Sequence, residues 1–360
     1  MYQLYRLKTL FTLALLFVSF GCKTISNSSH STYGVEKGDE VFSIAILPDT
    51  QYYTREIHGG TMQMFHDQVD WIRKNRKNEN IAYVVHLGDI TDRNTKLEWT
   101  RAKDAMYKLE EDNIPYGMAV GNHDEYPNET FKHGNPATFY TKYFGTEHFK
   151  NKPWYGGQLE TNGNSDNHFD IFTANGQKFL AMYFGYNEEN RLVKERDFAY
   201  EKRVMHWADS VLEKYADHKA IMITHSMLNR TKTTKSEIMP GTSREELMPD
   251  FTRQGKQIYN MAKKHPNVFL MLGGHIAGEG FRRDEHNGNI IKTYLADYQS
   301  RRNAPYESVK DRNGGNGLMR LMRFNTSKQT LSVITFAPRA NGEIIKEEDG
   351  DSQFTEPLYK

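Results

Sequence analysis

Five apolar runs of strand length each stop at a short cluster of polar and turn-forming residues, and this limits the folds open to the chain. Residues 42–47 end at Pro48-Asp49-Thr50-Gln51, residues 81–87 at Gly88-Asp89, and residues 116–120 at Gly121-Asn122-His123-Asp124. Residues 220–223 end at Thr224-His225-Ser226 and residues 268–272 at Gly273-Gly274-His275. Between the first two runs Met62, Phe65, Val69 and Ile72 recur at helical spacing, with Thr61 as an N-cap. Trp99, Ala102, Met106 and Leu109 repeat that pattern before the third run. Strand–helix alternation of this order predicts parallel pairing, with helices covering the sheet.

The rest of the chain adds strands. Residues 168–173 and 178–183 flank Ala174-Asn175-Gly176, a hairpin signal. Helices are predicted around 203–215 and 254–264, and strands at 290–295, 318–324 and 330–336. Residues 125–167, rich in Gly, Asn, Pro and aromatics, read as a long surface excursion of the kind that usually serves function. No internal repeat is visible. Residues 41–338 are therefore expected to form one domain of two mixed sheets with helices outside, followed by a loose polar tail over 339–360.

At 360 residues, 38% of them hydrophobic, the chain can bury a large core, and a net charge of +1 argues against a general nucleic-acid binder. The N-terminus reads as a signal peptide over residues 1–21. Arg6 and Lys8 precede an apolar run, 10–20, that is too short to span a bilayer. Cys22, the one cysteine, follows Ser19-Phe20-Gly21, which resembles a bacterial lipoprotein signal but carries Ser19 where an aliphatic residue is usual. The expectation is cleavage before Cys22, a lipid on its thiol, and an exported protein held at the membrane of a bacterial cell envelope. Residues 22–40 form a flexible tether, and a lone cysteine allows no internal disulfide.

In open α/β sheets, ligands bind beyond the carboxyl ends of parallel strands. The five runs would deliver Asp49, Asp89, Asn122, His225 and His275 to one rim. Oxygen donors mixed with imidazole, and no thiolate, suit one or two divalent ions of Mn, Fe, Zn or Mg. Each element alone has an ordinary reading: Gly-Asp after a strand is commonly a turn or cap, and a strand-terminal histidine commonly structural. The ordered set is what points to a metal centre. His86, inside a strand, is expected in the core or behind the ligands, and Asp92 to hydrogen-bond within its loop. His58, His66, His133 and His148 read as surface residues. Tyr155-Gly156-Gly157, Asp166-Asn167 and Asp297-Tyr298-Gln299 either line a substrate pocket or serve as turns and sheet edges. Ser226 could be a nucleophile, but no Gly-x-Ser-x-Gly elbow surrounds it.

Taken in order, these residues resemble the calcineurin-like metallophosphoesterase family, whose pattern is Asp-x-His, Gly-Asp, Gly-Asn-His-Asp/Glu, His, and Gly-His-x-His. The resemblance runs over about residues 41–336. It is especially similar to the branch of exported bacterial proteins that opens Asp-Thr-Gln-Tyr, here Asp49-Thr50-Gln51-Tyr52. It implies a four-layer α/β/β/α sandwich with mixed sheets, and hydrolysis of a phosphate mono- or diester by metal-activated water. It further implies that Asp89 bridges two ions, that Asn122, His225 and His275 complete one site, and that Asp49, with Gln51, anchors the other. His123 is implied as the donor to the phosphoryl group or leaving oxygen, with Asp124 orienting its ring.

Two positions depart from that pattern. Gln51 and Ala277 stand where the family has histidines, and both belong to the ion held by Asp49. A glutamine carbonyl is a weaker donor than imidazole, and alanine offers none, so water or Glu279 is expected to compensate. With two divalent ions the centre carries a charge of about +2, enough to hold hydroxide and a phosphate oxygen; with one it is near neutral. The depletion motivates an alternative, a non-catalytic, surface-tethered binding protein that keeps the fold and one metal.

Overall fold

Strands that are apolar on both faces need cover on both faces. The computed structural model describes residues 40–125, 138–159, 165–188, 197–230, 248–299, 314–347 and 350–358. The expected leader, Cys22, nearly all of the tether, and His133 lie outside the described residues. In chain order the first part forms β1 (Val41–Leu47), α1 (Gln51–Arg55), α2 (Met62–Asn75), β2 (Ile81–His86), α3 (Lys96–Glu111) and β3 (Tyr116–Met118). Next come α4 (Thr138–Phe144), α5 (Thr146–Phe149), β4 (Tyr155–Gln158), β5 (His168–Ala174), β6 (Gln177–Phe184) and α6 (Phe198–Lys214). Then follow β7 (Lys219–Thr224), α7 (Arg253–Ala262), β8 (Val268–Gly273), β9 (Gly278–His286) and β10 (Asn289–Asp297). The last strands are β11 (Met319–Asn325), β12 (Thr330–Pro338), β13 (Ile344–Glu347) and β14 (Gln353–Pro357).

One sheet runs β13-β12-β11-β1-β2-β3, with β14 also on β12; the other runs β4-β5-β6-β7-β8-β10-β9. The pairs β1–β2 and β2–β3 are parallel, as are β6–β7, β7–β8 and β8–β10, while the outer strands are antiparallel. Alternation along β6 shows the layering. Phe179, Ala181 and Tyr183 point into the core between the sheets, whereas Leu180, Met182 and Phe184 meet Val204, Ala208 and Leu212 of α6. Phe42 and Phe179 meet across the sheets at 5.3 Å between ring centroids, and Tyr83 stacks on Phe172 at 4.5 Å. With α2 and α3 covering the first sheet, the four-layer α/β/β/α sandwich with mixed sheets is realised.

Local chemistry sets most element ends. Asn175 (φ 48°) and Gly176 (φ 71°) form the two-residue turn between β5 and β6, where positive φ at both positions matches the strand twist. Thr95 and Glu98 form a reciprocal capping box on α3. Asp197 accepts from Tyr200 N and starts α6 a turn earlier than its apolar spacing predicts.

Two expectations are corrected. The stretch after residue 338 is not simply a loose tail: β13 and β14 both pair antiparallel with β12. The 125–167 stretch is not only a surface excursion, because Tyr140, Phe144, Phe149 and Trp154 from it are buried in the core. Trp154 is anchored there by its ring N–H donating to Tyr116 O at 3.0 Å.

Candidate metal centre

The two sheets present the carboxyl ends of their parallel strands to one rim. After β2 the chain turns through Gly88 (φ 100°) and Asp89 (φ 47°), and after β8 His275 sits at φ 73°. Left-handed backbone costs a residue with a Cβ roughly 1–2 kcal/mol, and such strain persists where the surroundings over-determine it. Both strained side chains point at the same place. Three glycines let backbone approach it closely. A Cβ on Gly88 would lie 2.7 Å from His225 Nδ1, one on Gly121 2.2 Å from Asp89 Oδ1, and one on Gly274 2.5 Å from Asp49 Oδ1.

Asp89, His225 and His275 bring one carboxylate oxygen and two ring nitrogens within 4.8 Å of one another. His225 Nδ1 lies 2.9 Å from Leu87 O, and a carbonyl can only accept, so Nδ1 carries the proton and Nε2 faces Asp89 Oδ2 at 3.1 Å. Both carboxylate oxygens of Asp49, Gln51 Oε1 and Asn122 Oδ1, all of them buried, have no hydrogen-bond partner among the described residues. A buried polar atom left unpartnered costs about 1–3 kcal/mol. So many at one rim mark a place prepared for a ligand. An oxygen and imidazole donor set without thiolate fits a hard or borderline divalent ion.

The electrostatics point the same way. Burial, then the like charges of Asp297 and Asp89, push the Asp49 carboxyl well above the usual range. Burial raises Asp297 to about 6, with Asp89 adding to it. Burial opposes the charge on His225, but Asp89 and Asp49 outweigh it and hold the imidazole up at about 10. His275 is lowered to about 4 by burial and by His225. Three buried carboxylates around one imidazolium are a negative centre that a divalent cation would relieve.

His86 stands behind this rim. It is buried, lowered to about 3 chiefly by burial, with Nε2 3.0 Å from Thr50 Oγ1 and Nδ1 accepting from Gly88 N.

The expected pairing of Asp124 with the His123 ring does not form. The Asp124 carboxylate accepts from Ile90 N, Thr91 N, Thr91 Oγ1 and Gly121 N, tying the two rim loops together. Burial, then Asp89, raises it to about 7. Residues adjacent in sequence point different ways, which is why Asp124 misses the ring. His123 is held by Asp92: its Nδ1 donates to Asp92 O at 2.8 Å and lies 3.5 Å from Oδ1. Asp92 in turn pairs with Arg55 and Arg93. The His123 backbone N–H donates to Asp89 Oδ1 at 3.0 Å, so the histidine braces the carboxylate while its ring stays 35% exposed.

Glu279 does not fill the depleted site. Its Oε1 is engaged in the core by Arg320, Tyr298 and Ser352. Ser226 Oγ is buried without a hydrogen-bond partner among the described residues, hence without a base there to activate it. Asp297 does reach the rim. Its carboxylate accepts from Gln299 N at 2.9 Å and Gln299 Nε2 at 3.1 Å, and Gln299 Oε1 accepts from Gln51 Nε2. Tyr186 walls the histidines, with ring centroids 5.3 Å from His275 and 6.0 Å from His225.

The sequence pattern of calcineurin-like phosphoesterases matches residues 42–279. An uncharacterized protein of Bacillus subtilis (strain 168), YvnB, is 29% identical over 308 residues, which are 83% of this chain and 20% of that protein. The chain thus spans about a fifth of that relative. Among solved structures, a dimetal phosphatase from Danio rerio is 15% identical with a TM-score of 0.46, covering 86% of this chain and 99% of that one. The purple acid phosphatase PPD1 of yellow lupin (Lupinus luteus) is 12% identical with a TM-score of 0.46, covering 89% of this chain and 55% of that one.

Proposed function

We propose, from the premise that this chain belongs to the calcineurin-like phosphoesterase family, that it is a metal-dependent hydrolase that cleaves a phosphate mono- or diester by attack of water. The observation that carries this reading is the convergence of Asp89, His225 and His275 within 4.8 Å, ringed by the unpartnered buried oxygens of Asp49 and Asn122. A divalent ion bound there supplies Lewis acidity and activates water at neutral pH. The chain's own residues supply position and protons. Leu87 O fixes the His225 tautomer, and Asp92 O fixes that of His123. His123, its Nδ1–H committed to a carbonyl, has Nε2 to offer: protonated, it donates to a phosphoryl oxygen or to the leaving oxygen. Asp124 keeps the Asp89 and Gly121 loops in register, and Tyr186 packs against the His275 ring.

The loss of two imidazoles, at Gln51 and Ala277, favours one rival, a surface-tethered binding protein without turnover. The test is hydrolysis of nitrophenyl phosphate and bis-nitrophenyl phosphate by chelated protein, before and after addition of Mn²⁺, Zn²⁺ or Mg²⁺. Turnover that returns with metal supports the hydrolase; none with any metal and either ester supports the rival.

From Arg6, Lys8 and the apolar run that ends before Cys22, we further propose that the protein is exported and anchored through a lipid on Cys22. Cys22→Ser should move it from the membrane fraction to a soluble exported one. Unchanged partitioning would remove the anchor from the account.

A further inference from the structure

Both departures from the family pattern adjoin one carboxylate that the pattern does not contain. We propose that Asp297 is a ligand of the Asp49 ion, taking the place of the two missing histidines, with Gln299 as the residue that positions it. The inference rests on the metal-dependent reading above.

The register brings Asp297 there. Strand β10 runs parallel to β8 with Leu295 opposite Gly273, so Asp297 emerges at the rim where Gly274-His275 begins. On its other side β10 pairs with β9, and Asp297 lies opposite Gly278, the residue after Ala277. A carboxylate therefore stands across the ladder from the residue next to the position that lacks its imidazole. The second departure reaches the same group through one intervening residue. The Gln51 amide donates to Gln299, and Gln299 donates through N and Nε2 to the two oxygens of Asp297.

These contacts leave specific atoms unused. Asp49, 2% exposed, has both oxygens without partners, and Gln51, 1% exposed, has Oε1 without one. Asp297 is 1% exposed, and among the described residues no lysine or arginine pairs with it or with Asp49. Gln299 fills one lone-pair direction on each Asp297 oxygen, and each retains another. Fixing an outer hydrogen-bond partner in this way orients a metal ligand. The proposed donor set, Asp49, Asp89, Asp297 and Gln51 Oε1, is all oxygen and spaced more widely than the 4.8 Å within which Asp89, His225 and His275 converge, whereas the other site keeps two imidazoles. Such a pair of sites is unequal in hardness: the Asp49 side suits Mg²⁺ or Mn²⁺, the histidine side also Zn²⁺. Three carboxylates also lower the charge of a two-ion centre to about +1, still attractive to a phosphate oxygen.

The test counts ions, with Mn²⁺ as the only probe. Chelated full chain is dialysed against Mn²⁺ and analysed for metal per chain, and affinities are read by calorimetry. Wild type should bind two ions, and Asp297→Asn one, at concentrations that saturate wild type. Gln299→Ala, which leaves the carboxylate in place, should weaken the second ion roughly 10–100-fold and spare the first. Ala277→His in the Asp297→Asn background should bring the second ion back, showing that the single variant was folded and short of a ligand. One ion in wild type, or two ions of unchanged affinity in both Asp297→Asn and Gln299→Ala, would overturn the assignment. Because the readout is binding, it is separable from catalysis. Two ions without hydrolysis would sink the proposed function and leave this assignment standing, and hydrolysis with one ion would do the reverse.

Discussion

His123 and Asp124 are neighbours with opposite duties, and single substitutions should separate them. A positioned proton donor contributes about 10²–10⁴-fold in rate. His123→Ala should therefore slow turnover by roughly that range while ion content and unfolding midpoint stay put. The loss should shrink for nitrophenolate esters, which leave without a proton. Asp124→Ala would strip partners from buried Ile90 N, Thr91 N and Gly121 N. At about 1–3 kcal/mol each, the fold should lose on the order of 3 kcal/mol or more, read as a lower denaturant midpoint. A His123→Ala variant that lost its metal, or an Asp124→Ala variant as stable as wild type, would contradict these roles. The glycines give a third contrast. Gly121→Ala would place a Cβ 2.2 Å from Asp89 Oδ1 and 2.4 Å from the Asp89 backbone N, so the rim must shift and metal affinity and stability should both fall.

At the scale of elements, the strands that end at the rim were legible because each is an apolar run that stops at glycine or a polar cluster. That pattern points to Asp49, Asp89, Asn122, His225 and His275, and the structure brings Asp89, His225 and His275 within 4.8 Å. Asp297 stays ambiguous in sequence, because Ala-Asp-Tyr-Gln after a strand reads as well as a turn. Only the parallel β8–β10 register gives it a destination. Strands β13 and β14 were missed because both are short and largely polar; what holds them is the edge of β12, and a partner is not written in local sequence. Asp92 was missed as the partner of His123 for the related reason that a loop contact depends on how two loops meet. Strand β5 carries one testable polar oddity between the sheets. Asp170 takes a hydrogen bond from Tyr83, whose hydroxyl lies 3.0 Å from that of Tyr183, and its Oδ1 has no partner. Burial raises the Asp170 pKa well above its ordinary value, against the Tyr83 bond. A folded-state pKa above the unfolded one gives stability that is full below the unfolded pKa and lost as pH rises through the folded one. Wild type should thus lose stability relative to Asp170→Asn as pH climbs from about 4. Parallel pH–stability curves for the two proteins would contradict it.

Across the whole molecule, the fold explains why two sheets are needed for one centre. The first sheet brings Asp49, Asp89 and Asn122 to the rim and the second His225, His275 and Asp297, so neither alone carries the whole of the proposed ligand set. Their relative position is fixed by the aromatic core between them, Phe42 on Phe179 and Tyr83 on Phe172. The central claim is that metal and phosphoester hydrolysis depend on this shared rim. The most direct measurement takes His225→Ala, purified alongside wild type, and reads Mn²⁺ per chain and diester turnover on the same samples. The account predicts that the variant loses ion content and activity together, turnover falling by more than about 10²-fold, beyond the cost of losing an outer hydrogen-bond partner. A variant that keeps both its metal and its turnover would contradict it.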